Sequence, residues 1–385
     1  MTVAERYLEL GLRLGRHEPE LVDSYYGPEE LRQRVEDEPL HEPARLAADA
    51  AELLAELDDD PWLAAQTRAL ETTARTLAGE ELLYADEVEL TYGIRPRWTD
   101  ERQFERGHEL IDEALPGVGD LAVRYARWFE EAAVPGAAVE QAVDTAMAIV
   151  RERTHEVIGL PEGEQIELRI VTGERWFGYA HYLGGYRTRI SVNTDLSFPS
   201  AELLWFSGHE GYPGHHTQRV WQEVDLVRGE GRLDATMELL WAPDAVIAEG
   251  VAEAGPELVV DGDAHRELAE RLRPHGVDYD AAVCERVAQA RRLLYAVSAN
   301  VAILLHERAA SREEAWDYAK RWSLQPDDRV DKMLANAEER RSRGYVHTYI
   351  EGKRLCHAWV AGDPVRYRRL LTARLRPADL SSAAA

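Results

Sequence analysis

Residues 207–218 read SGHEGYPGHHTQ, with three histidines, one glutamate and a proline–glycine pair in twelve positions. The stretch begins like the metal-binding signature H-E-x-x-H, whose two histidines lie four residues apart on one helix face and whose glutamate serves as general base. Here His209 and Glu210 are followed by Pro213 where the second histidine is due, and the next histidines are His215 and His216. On an unbroken helix His215 would sit roughly 240° round from His209, and His216 would be in line but about 10 Å along the axis. A regular helix therefore cannot bring either to an ion held by His209. Proline removes a backbone donor and glycine tolerates unusual torsions, so Pro213-Gly214 predicts a local bulge that absorbs two residues. With the bulge, His215 takes the place of the missing second histidine. The competing reading is a polar histidine-rich turn with no metal.

A zinc site of this kind needs a third ligand, commonly a carboxylate on a later helix. The run AVIAEGVAEAGPE, residues 245–257, offers Glu249, Glu253 and Glu257. Glu249 stands among Val246, Ile247, Ala248, Gly250 and Val251, where an ionised carboxylate needs a partner and a metal would provide one. Gly250 would let a neighbouring helix approach closely. Glu253, one turn on, is read as solvated or as a group that orients a histidine.

Composition frames these motifs. The chain has 385 residues, 45% hydrophobic and 30% charged, which is ordinary for a globular protein with a substantial core. The net charge of −26 argues against nucleic-acid and anionic-membrane partners, which need basic surfaces. Cys284 and Cys356 are far apart, which suits a reducing compartment and gives neither a disulfide framework nor a thiolate zinc site. No apolar leader or run of about 20 apolar residues is seen, so a cytoplasmic location is expected.

Periodicity places the motifs in a fold. Segments 44–58, 61–93, 100–115 and 138–160 carry Leu, Ile and Ala at helical spacing, separated by Pro and Gly, so residues 1–160 read as helices. The period then changes to two. Ile166, Leu168 and Ile170 alternate with polar residues, and Tyr186, Thr188, Ile190 and Val192 repeat the pattern after Gly184-Gly185. A small antiparallel sheet is expected over about 165–195, followed by a helix capped by Ser200. The remainder reads as helices. The expected architecture is one mainly helical domain, 1–385, with an N-terminal lobe over 1–160 and a lobe over 161–385 that carries the sheet and the metal site.

At these residues the chain resembles a known family. HEGYPGHHTQ is similar to the H-E-x-x-P-G-H-H-x-Q signature of the bacterial domain of unknown function 885 family. AEGVAE, at 248–253, stands where that family has E-G-W-A, and TYIEGKRL, at 348–355, resembles its Y-x-x-G-K segment. Val251 and Ala254 depart from its Trp and Tyr. That family in turn resembles the thermostable carboxypeptidases, zinc peptidases of gluzincin type. The resemblance implies an elongated, two-lobed helical fold with a small sheet beside an active-site cleft. It also assigns the ligand role to His215, because a glycine precedes the second histidine in those enzymes, and leaves His216 as a supporting or substrate-facing group.

The expected function is zinc-dependent hydrolysis of a peptide or amide bond, with one ion, zinc or another divalent metal, held by His209, His215 and Glu249. Glu210 is the expected base. Tyr349 is the first candidate to stabilise the anionic intermediate, with Tyr345 and His347 next. Arg187, Arg189 and Arg354 are candidates to hold a substrate carboxylate. His306 and Asn300 read as core residues. Two alternatives remain: a catalytically silent metal-binding scaffold, which leaves Glu210 without a purpose, and a hydrolase of a small non-peptide amide or ester.

Overall fold

A computed structural model describes residues 1–174 and 176–381. The protein is mainly α-helical, with small sheets inserted between helices. Local signals set many helix starts. Thr2 and Glu5 form a capping box at Val3–Gly15, Asp60 caps the Pro61–Leu77 helix, and Ser311 and Glu314 form a capping box at Arg312–Ser323. Each satisfies backbone N–H groups that the first turn leaves without partners.

Among the first 160 residues the regular structure is helical apart from two short strands, β1 (Val22–Tyr25) and β2 (Ala133–Val134). The small sheet contains β3 (Gln165–Val171), β4 (Gly178–Gly184) and β5 (Arg187–Asn193) in the order β3-β5-β4. Its two expected strands, β3 and β5, are present, but they pair in parallel. The antiparallel neighbour of β5 is β4, whose GYAHYLG sequence has no clear two-residue alternation. The hairpin turn through Gly184, Gly185 and Tyr186, all at positive φ, joins β4 to β5 and leaves the far edge of β5 to β3. The expected antiparallel sheet is therefore a mixed one. Further on, β6 (Phe198–Pro199) pairs with β2, and β7 (Met237–Leu239) pairs with β1.

These long-range ladders tie the first 160 residues to the rest. Leu8, Leu14 and Leu70 belong to the same buried cluster as Val246, Val251 and Leu268. The Pro243–Ala254 helix lies very close to the Val346–Val360 helix. A Cβ on Gly250 would come within 2.5 Å of the Gly352 carbonyl oxygen, and one on Gly352 within 2.3 Å of that of Val246. Glycine at both positions lets the backbones touch, which sets Glu249 against Tyr345. Ser200 does not cap a helix; it opens a 3-10 turn at Ser200–Glu202, and its hydroxyl meets the Cys284 sulfur at 3.5 Å. Both cysteines are buried free thiols. No helix among the described residues is long and apolar enough to cross a membrane.

Candidate metal centre

The HEGYPGHH segment is two helices joined by a break, rather than one bulged helix. A short helix, Leu203–Phe206, widens into a π turn at Ser207–Gly211. Tyr212 is extended (φ −121°, ψ 119°), as a residue before proline prefers, and a new helix runs over His215–Gln222. The Gly214 N–H donates to the Gly208 carbonyl at 2.9 Å. A Cβ on Gly214 would stand 1.9 Å from the His209 carbonyl oxygen, so only glycine allows this fold-back. The His209 and His215 rings end 4.8 Å apart and nearly perpendicular.

Glu249 meets both rings. Its Oε2 lies 3.4 Å from His209 Nε2 and 3.7 Å from His215 Nε2. The three donor atoms fall within 4.8 Å of one another. Neighbouring donors of a tetrahedral zinc at ~2.0–2.2 Å from the ion stand roughly 3.3–3.5 Å apart. Glu249 Oε1 accepts from the Tyr345 hydroxyl at 2.6 Å. Glu249 Oε2 is buried with no hydrogen-bond partner among the described residues. A buried carboxylate oxygen facing two imidazole nitrogens, with nothing else to satisfy it, fits a divalent cation.

The electrostatics agree. Burial works to raise the Glu249 pKa, but His209 and His215 hold the carboxyl well below its usual range. Burial alone would push the His209 imidazole down; Glu249, Glu210 and Glu253 together lift it to about 9. Carboxylates thus dominate the surroundings of the His209 ring, the setting a divalent cation favours.

Around this set, Glu253 is only 4% exposed and so is not solvated. Its Oε1 stands 3.7 Å from His209 Nδ1, and its Oε2 is 3.7 Å from Lys353 Nζ. It is placed to orient His209. The Tyr349 ring lies 6.2 Å from the His209 ring, nearly parallel to it. Burial, with Glu249, Glu210 and Glu253 nearby, keeps its hydroxyl protonated far above the usual range. Two cavities, of about 640 and 520 Å3, flank the site, and His209, Glu210, Tyr345 and Tyr349 line both.

Other candidates lie elsewhere. His216 turns away from the cluster, with Nδ1 2.7 Å from the Thr188 hydroxyl and Nε2 2.9 Å from Glu164 Oε2. His347 bonds the Tyr84 hydroxyl at 2.9 Å and lines neither cavity, so it is no oxyanion donor. Arg187 and Arg189 alternate along β5 with buried Thr188 and Ile190; they point off the opposite face, and Arg189 pairs with Glu167 at 3.2 Å. Arg354 pairs with Glu351 at 2.8 Å. None of the three arginines lines either cavity. His306 bonds the Ala337 carbonyl and Asn300 the Thr99 backbone, as core residues do.

The sequence reading missed Asp23, Tyr179, Arg219 and Glu238 on the wall of the smaller cavity, where Tyr179 donates to Asp23 and Arg219 pairs with Glu238. Burial pushes the Glu238 carboxyl up to about 7 against the opposing pull of Arg219. It also missed Arg292 and Arg329 on the larger cavity. No local pattern marks these residues, which the fold gathers from distant segments.

No family model matches the chain, and no curated protein matches it. Among solved structures, a putative lipoprotein of unknown function from Shewanella oneidensis is similar at a TM-score of 0.48 and 13% identity, covering 89% of this chain and 69% of that one.

Proposed function

We propose that this chain is a zinc-dependent hydrolase of peptide or amide bonds. The observation that carries the reading is the convergence of His209 Nε2, His215 Nε2 and the otherwise unpartnered Glu249 Oε2, with Glu210 next to the first ligand and facing both cavities. The resemblance of HEGYPGHHTQ and AEGVAE to a family with a peptidase-like fold agrees with it.

His209, His215 and Glu249 would hold the ion, which when bound supplies Lewis acidity toward a carbonyl oxygen and acidifies water at neutral pH. Tyr345 and Glu253 fix two of those ligands, Tyr345 through Glu249 Oε1 and Glu253 behind His209 Nδ1. Glu210 takes a proton from the attacking water and returns it to the leaving amine. Tyr349, whose ring lies beside that of His209 and which lines both cavities, serves as donor to the developing oxyanion. Cavities on both sides of Glu210 favour a substrate that extends either way from the scissile bond, hence a peptide over a small ester.

The test is cleavage of a mixed peptide library, read by mass spectrometry, by wild type and Glu210→Gln with zinc supplied to both. Wild type is expected to yield products that a chelator suppresses. The variant should keep its metal and lose about 10²–10⁴-fold in rate. Equal products from both would reject Glu210 as the base.

A further inference from the structure

The two cavities that meet at His209 and Glu210 differ in charge. Asp23, Glu20, Glu238 and Glu249 line the smaller one, and its arginine, Arg219, is paired with Glu238 and with Asp244 at 3.2 Å. The larger one is lined by five cations, Arg291, Arg292, Arg329, Arg343 and Lys353, which outnumber its three carboxylates, Glu202, Glu210 and Glu253. In a chain of net charge −26 such a local excess of cations is not what composition alone would place there.

Three of the five are engaged. Arg291 pairs with Glu202 and bonds the Tyr125 hydroxyl at 2.6 Å, Arg343 pairs with Glu87, and Lys353 approaches Glu253 at 3.7 Å. The guanidinium groups of Arg292 and Arg329 have no hydrogen bond or ion pair among the described residues, and Arg329 rests 5.1 Å from the centre of the Phe129 ring. Both are half-buried. Burial and the neighbouring Arg291 charge push the Arg329 pKa down, against the weaker opposing pull of Asp328 and Glu202. Trp205 and Tyr295 add apolar wall beside them. A planar, unpaired guanidinium on the wall of a cavity is suited to a carboxylate, which it can hold through two parallel N–H donors.

We infer that the larger cavity receives the leaving-group side of the substrate, and that Arg292 and Arg329 bind a carboxylate there. The preferred substrates are peptides with an anionic group C-terminal to the scissile bond, because the smaller cavity would repel that group. The direction of the chain rests on the hydrolase reading; the anion site does not. The carboxylate is either the peptide's own C-terminus or an acidic side chain close to it, and both present the same chemistry.

Calorimetric titration of the full Glu210→Gln chain with three probes tests this: acetyl-Ala-Ala-Ala as free acid, its C-terminal amide, and acetyl-Ala-Ala-Glu amide. At least one anionic probe should bind about tenfold or more tightly than the neutral amide. Tighter binding of the free acid assigns the terminal carboxylate; tighter binding of the Glu amide assigns the side chain. Arg292→Gln and Arg329→Gln should each erase most of the preference, while Arg292→Lys and Arg329→Lys retain part of it and report that the fold is intact. Equal binding of all three probes, no binding of any, or a preference that survives in both glutamine variants overturns the inference. A protein that binds the anionic probe yet never cleaves in the library assay refutes the hydrolase reading and leaves the subsite standing.

Discussion

His215 and His216 are neighbours in the chain and enter two different histidine–carboxylate clusters. Around His216 every polar group is answered: one ring nitrogen meets Thr188, the other Glu164, and Glu164 also receives the Tyr212 hydroxyl and Arg151 at 2.5 Å. Around His215 the count falls short, because Glu249 Oε2, which faces the Nε2 atoms of His209 and His215, is buried without a hydrogen-bond partner among the described residues. A closed set of donors and acceptors describes a clamp that holds a turn. An open set aimed at one point describes a place for a ligand. Residue type alone does not separate the two clusters; satisfaction does.

If the His216 cluster is a clamp, breaking it should cost stability more than chemistry. Glu164→Ala leaves His216 and Arg151 without their shared anion and is expected to lower unfolding free energy by about 3–5 kcal/mol in denaturant titrations. A loss under ~1 kcal/mol would contradict the clamp. The same carboxyl gives the cluster a pH signature. Burial would raise its pKa, but His216, Tyr212 and Arg151 depress it from 4.5 to about 2. A carboxyl depressed in the folded state stabilises above its unfolded pKa and loses that stabilisation as pH falls through the folded one. The stability of wild type over Glu164→Gln should therefore shrink between pH 4.5 and about 2.

On the open side, Glu253→Gln should leave the fold intact and weaken metal binding about 10–100-fold in chelator competition, as loss of an orienting partner does. An unchanged affinity would show that the 3.7 Å approach of Glu253 to His209 is incidental.

The parts of the site legible in the sequence were those whose meaning is local. His209-Glu210 begins a metal motif, Pro213-Gly214 interrupts its helix, though as a break between two helices where a bulge was expected, and Glu249 stands out because its neighbours are apolar. The form of the break was not legible: a π turn followed by a second helix, closed by a backbone contact that only Gly214 permits. Nor was Glu164, which reaches His216 across 52 positions, or Arg292 and Arg329, two arginines among many until the fold lines a cavity with them. In the sheet, the alternation in β3 and β5 was readable, but their parallel pairing depends on β4, whose mixed burial hides it from a period-two reading.

The measurement that bears most directly on this account is the metal content, by inductively coupled plasma mass spectrometry, of purified wild type and of His209→Ala, His215→Ala, His216→Ala and Glu249→Ala after zinc loading and desalting. The account predicts one zinc per chain in wild type and His216→Ala, and loss of nearly all of it in the other three. Metal retained by His209→Ala, His215→Ala and Glu249→Ala, or lost from His216→Ala alone, would contradict it.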